Sequence, residues 1–374
     1  MKDCIGIIIS NSEDKDYASL SKERPDYMLP FGCRYRLIDF ALSNMTNHSL
    51  SHVMLYSGFN VRSTLDHIGD GKAWDMNRRR SGLFINQPSI DSFHNILSEV
   101  RTFYDSITYY ENSHQDDIYI HNPMNISKFN LRKSYQEFLD EGLDVMFFYK
   151  TIDQNTENYH GLRSLILDED GKFVNIGLNL SPKKEFKVYN GNLFIKKKVF
   201  MDLIKAAIEE NSATSLDQCI IQNKESLKIG SYEITSHLEI IYDVYSYYRA
   251  NMNLLDPKIY EEIFYKDGMV YTKSKDEPST LYKDGARMYN SLVANGCIIE
   301  GQVENSILFR GVHIHKGVII RNSIISQGTK IHNNAVVVNT ITDKFVQIEE
   351  GTTIVGADSK PFVISKGETV KGAL

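Results

Sequence analysis

The chain has 374 residues, 42% of them hydrophobic and 24% charged, with 42 Lys and Arg against 48 Asp and Glu for a net charge of −6. This is enough chain for two or three domains, with cores that need neither disulfides nor a structural metal. The balance excludes large-scale disorder and a general nucleic-acid binder, which needs a basic face.

The elements read in chain order as an α/β layered domain. The short apolar run Ile5 to Ile9 reads as a buried first strand rather than a leader. A helical run from Arg36 to Asn44 precedes a strand over Ser51 to Tyr56, and Asp117 to Ile120 is a third strand. Ser127 to Gly142 has near-helical apolar spacing and a glycine where a helix stops, and Asp144 to Tyr149 returns as a continuous apolar strand. No run of about 18 apolar residues exists, so a membrane-spanning helix is not expected. Cys4, Cys33, Cys219 and Cys297 form no CxxC pair, which suits reduced thiols and a cytoplasmic location. Residues 1–255 are expected to form the first domain. The stretch 256–288, with Pro257, Pro278 and the polar run Thr272 to Glu277, reads as a linker.

Residues 289–374 repeat. Stepping by six from Val312 gives Val318, Ile324, Lys330, Val336, Thr342, Ile348 and Ile354, mostly Val or Ile, with glycines such as Gly301, Gly311, Gly317 and Gly328 between them. A period of six with aliphatic residues and glycine turns is the hexapeptide pattern of a parallel β-helix, in which stacked coils share a buried column. Lys330, Thr342 and Asp343 break the row, so one coil is expected to be distorted.

Local strings are more specific. The segment Pro30-Phe31-Gly32-Cys33-Arg34-Tyr35-Arg36-Leu37-Ile38-Asp39-Phe40-Ala41-Leu42-Ser43-Asn44 resembles the Pro-Phe-Gly-Gly-Lys-Tyr-Arg-Ile-Ile-Asp-Phe-Ala-Leu-Ser-Asn segment of glucose-1-phosphate adenylyltransferases. His67-Ile68-Gly69, Trp74-Asp75, Tyr247 to Leu255 and Asn290 to Gly301 resemble later segments of that family, in order. The resemblance implies a nucleotidyltransferase Rossmann-like mixed-sheet domain followed by a left-handed parallel β-helix of hexapeptide repeats.

The chain departs from the family where the chemistry lies. Active members follow their first strand with a Gly-Gly-x-Gly-x-Arg-Leu loop, whose glycines let backbone N–H groups approach phosphates. Here the loop falls on Asn11, Ser12, Glu13, Asp14, Lys15, Asp16 and Tyr17, with Asp16 in place of the Arg. At about 6 Å and an effective dielectric near 20, one unit-charge pair is worth ~3 kcal/mol, so this reversal opposes triphosphate binding. Asp26 replaces a lysine, Asn122 and Ile240 replace the two carboxylates that hold Mg²⁺ in the family, and Asn179 falls near the sugar-phosphate lysine. Nucleotidyl transfer depends on metal clamping and cationic stabilisation of charge, so no catalysis, cofactor or metal is expected of this chain alone.

The chain therefore resembles the GlgD-type regulatory subunit of bacterial glucose-1-phosphate adenylyltransferase. That role implies a catalytic subunit of this enzyme as partner, a heterotetramer in ADP-glucose and glycogen synthesis, and modulation across subunit contacts. Arg34 and Arg36 are candidate binders of a phosphorylated sugar effector, since paired arginines grip phosphate bidentately and the family places a basic residue at the Arg34 position near its effector site. The alternative is an active nucleotidyltransferase making ADP-glucose from ATP and glucose 1-phosphate. A remote third class, a β-helix acyltransferase, would use His313. The cluster Arg78-Arg79-Arg80 reads as a solvated loop, and His313-Ile314-His315 as β-helix surface rather than a metal site.

Overall fold

Cys4–Ile8 (β1) is buried at every position because it lies between two parallel neighbours and is covered on both faces. In this computed structural model, which describes residues 1–10, 16–57, 60–78, 81–87, 98–154, 156–180 and 185–373, β1 is central to a mixed nine-stranded sheet. The further strands of this half are Pro30–Phe31 (β2), Tyr35–Arg36 (β3), Val53–Tyr56 (β4), Leu83–Asn86 (β5), Asp117–His121 (β6), Asn125–Ser127 (β7), Val145–Ile152 (β8), Arg163–Leu167 (β9), Phe173–Leu178 (β10), Phe186–Lys196 (β11), Ile229–Glu233 (β12) and Leu238–Ile240 (β13). The sheet runs β10-β9-β11-β6-β1-β4-β5, and β8 bridges β11 and β12. β6, β1, β4 and β5 are parallel, whereas β11 is antiparallel to both β6 and β8.

Alternation along β1 divides two cores. Cys4 and Ile8 face one with Leu37, Phe40 and Tyr247, and Ile5 and Ile7 face the other with Phe103 and Phe200. Gly6 has no side chain because Leu50 and Met45 press on it, at 2.6 and 2.8 Å from where a Cβ would stand. The helix expected from 127 runs Leu131–Asp140 instead. Asn125–Ser127 is drawn off to pair with β13, and the Asn130 side chain caps the helix by accepting the Lys133 N–H at 3.0 Å.

The stretch 256–288 is not a linker throughout. Pro257–Tyr265 is a helix with its proline at the first turn, capped by Asp256, and it buries Ile263 and Phe264. Of the two prolines that suggest a linker here, Pro257 starts this helix and Pro278 lies in the irregular span. Leu281–Tyr282 and Arg287–Tyr289 already belong to the β-helix. Only the span between crosses without regular structure, held to the helix Leu37–Asn47 by the Asn47 amide donating to the Met269 carbonyl at 2.9 Å and the Tyr271 N–H to Ser43 Oγ at 2.8 Å.

The remainder is a parallel β-helix of three sheets with six, five and five strands. Its middle coils step by 17 residues, as from Gln302 to Ile319, Val336 and Thr353, whereas Arg287 to Gln302 takes 15 and Thr340 to Phe362 takes 22. Three sides of six would need 18, so a row read every sixth residue slides from the inside to the outside of the coil. Lys330 is therefore an exposed outward residue and does not break a buried column, while Ile331 beside it is buried. Thr342 is inside, where its hydroxyl accepts the Ser326 N–H at 2.9 Å. One corner repeats in four successive coils: Asn290, Asn305, Asn322 and Asn339 have left-handed φ angles of 38–47°. Each is followed by Ser or Thr, and Ser291, Ser306 and Ser323 accept the N–H of the equivalent residue one coil on. One sheet presents Ile307, Ile324 and Ile341 to the first half, continuing its core, while Leu308, Ile325 and Ile364 fill the coil interior.

Candidate functional site

Open α/β sheets bind ligands beyond the carboxyl ends of their parallel strands. Asn122 follows β6 at that edge. Its N–H donates to Asn192 Oδ1 at 2.8 Å, and its own Oδ1 accepts the Met124 N–H at 3.1 Å. Gly191 on β11 lies so close that a Cβ there would stand 3.2 Å from Asn122 Nδ2. Beside it His121 is buried, bonded through Nδ1 to the Tyr119 hydroxyl at 2.9 Å, and burial lowers its pKa to about 4. The corner is thus built from neutral carboxamides and a neutral imidazole.

Ile240 ends β13, opposite Asn125 of β7. Its side chain is buried with Ile152, Phe186, Val188 and Leu238, and Tyr159, Leu162 and Tyr242 pack against that cluster. Asn179 is buried nearby, its amide donating to the Tyr159 carbonyl at 3.3 Å. Asp16 is exposed and accepts the Ala18 N–H at 2.8 Å. Asp26 opens a short helical turn beside the buried Tyr17, whose hydroxyl donates to the Ile241 carbonyl at 3.0 Å. Burial, with Asp26 and Asp243 nearby, pushes the Tyr17 hydroxyl pKa far upward. Asn179 and Ile240 are linked through Tyr159, which bonds the first and packs against the apolar cluster of the second, while Asn122 stands at the end of β6 with Asn192 and Gly191. Asn11, Ser12, Glu13, Asp14 and Lys15 lie outside the described residues.

This corner does not fit the Mg²⁺ of nucleotidyl transfer. Magnesium takes carboxylate and phosphate oxygens. Ile240 offers no side-chain oxygen, and Asn122 carries no charge and already accepts the Met124 N–H at its amide oxygen. Among the described residues no group of three His, Cys, Asp or Glu side chains is placed to hold a metal. Sequence reading did not single out Arg249, whose guanidinium lies 5.3 Å over the Tyr159 ring with both terminal nitrogens buried and unpartnered.

A second site lies where the two halves meet. Gly32 and Cys33, at φ 53° and 72°, turn the chain between β2 and β3 and set Arg34 and Arg36 in the lining of a small cleft of about 50 Å³. Arg36 is held by its Nη1 donating to the Met28 carbonyl at 3.2 Å, and burial with neighbouring Arg24 lowers its pKa to about 10, so it stays charged. Arg34 lies 5.4 Å over the Tyr35 ring. Lys273 and Lys275 enter from the crossing segment, and Arg310, Gln327 and Lys344 from the β-helix. Those three stand 17 residues apart on successive coils, a signal visible in the sequence only once the coil length is known. Behind the cleft Arg24 donates to both carboxylate oxygens of Asp343 at 2.9 and 2.7 Å, fully buried. Asp343 thus leaves the coil to join the two halves. The cleft gathers six cations, and Arg34 and Arg36 are two of them.

The remaining candidates stay at the surface. Arg78 pairs with Asp75, and Arg79 and Arg80 lie outside the described residues. His313 faces outward from its strand, and His315 stacks on His332 one coil on, ring centres 5.1 Å apart.

Residues 279–370 match the family model described as GlmU-like, C-terminal hexapeptide. The chain is 36% identical over 373 residues to glycogen biosynthesis protein GlgD of Geobacillus stearothermophilus, covering 99% of this chain and 98% of that protein. It is 31% identical to glycogen biosynthesis protein GlgD of Bacillus subtilis, over 85% and 82% of the two chains. Glucose-1-phosphate adenylyltransferase of Geobacillus stearothermophilus is more distant, 24% identical over 86% and 84%. With identity above 30% to two such proteins, over 85% and 99% of this chain, the chain belongs to the GlgD family of glycogen biosynthesis proteins.

Proposed function

We propose that this chain is a non-catalytic regulatory subunit in glycogen synthesis. It assembles in the cytoplasm with a catalytic glucose-1-phosphate adenylyltransferase subunit, in a heterotetramer, and modulates that subunit's turnover or effector response. The observation that carries the reading is an Ile240 buried in an apolar cluster and a neutral Asn122 engaged with the Met124 N–H, at the two positions where the resemblance expects metal-binding carboxylates. The names of the similar proteins support the pathway. Arg34 and Arg36 in a cleft of six cations support an anionic effector such as a phosphorylated sugar.

The test is synthesis of ADP-glucose from ATP, glucose 1-phosphate and Mg²⁺ by this chain, by a catalytic relative, and by the two mixed. No turnover alone with altered kinetics in the mixture is the expected result. Robust turnover by this chain alone would return it to the active nucleotidyltransferases.

A further inference from the structure

The junction cleft collects positive charge and leaves it poorly balanced. Its carboxylates are already engaged: Asp39 with His67 at 2.6 Å and with the Arg36 N–H at 3.0 Å, Glu277 with Arg310 at 3.5 Å, and Asp343 with Arg24. Lys273 donates its ammonium to the Asp66 carbonyl at 2.5 Å. Lys344 differs from the other cations. It is half-buried, and among the described residues no acceptor bonds its amine, since the oxygens of neighbouring Asp343 are turned to Arg24.

We propose that this cleft takes up a doubly charged oxyanion, a sulfate or phosphate ester, together with one proton, and that Lys344 is the group that receives the proton. The inference rests on the reading of the cleft as an effector site and adds the chemistry of its regulation. Three elements press charge on Lys344: Arg36 from β3, Arg24 from the segment before β2, and Lys275 from the crossing segment. Asp343, on its own coil, is the only opposing charge among them. A crowd of cations in a partly desolvated cleft relaxes most cheaply by neutralising its weakest acid-base partner. The arginines stay charged, so a lysine releases the proton. Burial, then Arg36 and Arg24, holds the Lys344 pKa at about 7, against about 10 for Arg36.

An anion among these groups reverses that penalty. It raises the Lys344 pKa, so binding consumes a proton at any pH between the free and bound values. The sign follows from linkage: affinity is flat below about pH 7 and weakens as pH rises above it, by up to tenfold per unit. The ligand is then sensed together with the acidity of its surroundings.

Inorganic sulfate is the probe, because its own charge is constant through this range. Titration calorimetry on the full chain, in two buffers of different ionisation enthalpy, counts the protons taken up. We expect close to one proton near pH 8, and binding roughly tenfold to twentyfold weaker at about pH 8.5 than at about pH 6.5. Lys344→Arg keeps the charge at every pH, so it should bind sulfate without proton uptake and as tightly at the higher pH as at the lower. Lys275→Met should weaken binding and, by removing one of the cations that press on Lys344, move the onset of the pH dependence upward while proton uptake persists. Sulfate binding with no proton uptake, or uptake unchanged in Lys344→Arg, would overturn the proposal. Failure of sulfate to bind the folded chain at about pH 6.5 would overturn the effector reading itself.

Discussion

At the scale of single residues, burial without a counter-charge decides what a side chain can do here. His121 is 2% exposed, one ring nitrogen bonded to the Tyr119 hydroxyl and the other unpartnered, and its pKa sits at about 4. In the unfolded chain a histidine titrates near about 6.5, so the unfolded state takes the proton first as pH falls. The stability contributed by the neutral ring is present above about 6.5 and is lost as pH falls toward about 4. At ~1.4 kcal/mol per unit the loss is on the order of 3 kcal/mol across this window. His121→Gln keeps a polar partner for Tyr119 and should flatten the acid limb, read by urea unfolding at several pH values; an equally steep limb in the variant would assign the sensitivity to other groups. The positions Asn122 and Ile240 can be picked out in the sequence by the family resemblance. What fills the space around them cannot. Asn192 lies 70 residues beyond Asn122, and only the antiparallel pairing of β11 with β6 brings them together. Lys344 was passed over because its neighbours come from three distant segments.

At the scale of elements, the β-helix is fixed by its corners as much as by its aliphatic interior. The four Asn-Ser or Asn-Thr corners place a tolerant residue in the left-handed region and a hydroxyl directly after it. Ser323, fully buried, receives the Thr340 N–H at 3.2 Å and donates to the Arg321 carbonyl at 2.6 Å. Ser323→Ala removes one methyl-sized hydroxyl and leaves the Thr340 N–H buried without a partner. It should lower unfolding stability by about 1–3 kcal/mol, checked by denaturant titration of the full chain. The repeat announces itself through Val and Ile at six-residue spacing, which is enough to name the architecture. The length of the coil is hidden, because a side one residue short looks like noise in a six-residue frame. Lys330 was misread for that reason. Pro257 misled in the opposite direction, since the same residue that interrupts a helix in its middle begins one at its first turn.

At the scale of the whole molecule, the two halves are joined through an apolar sheet face and one buried ion pair. Arg24 and Asp343 are 319 positions apart in the chain, and no local pattern marks them as partners. Asp343→Asn keeps the volume but strips the carboxylate from a buried guanidinium. Breaking such a pair from one side costs about 3–5 kcal/mol, whereas replacing both members with apolar residues of similar size is close to neutral. Thermal melting should therefore fall sharply in Asp343→Asn and recover largely in Arg24→Met with Asp343→Leu; no difference between the two would remove the pair from the stability of the junction. The resemblance names both halves but is silent on how they meet. The ladder of Arg310, Gln327 and Lys344 has a bearing on how this lineage can change in length. Stacks of coils grow and shrink most easily by whole turns. An extra turn placed between Arg310 and Lys344 would separate them by a further ~4.8 Å and draw Asp343 away from Arg24. Duplications and losses among descendants of this chain are therefore confined to turns beyond Lys344, and the middle of the stack is held at a constant number of turns by its neighbour rather than by its own core.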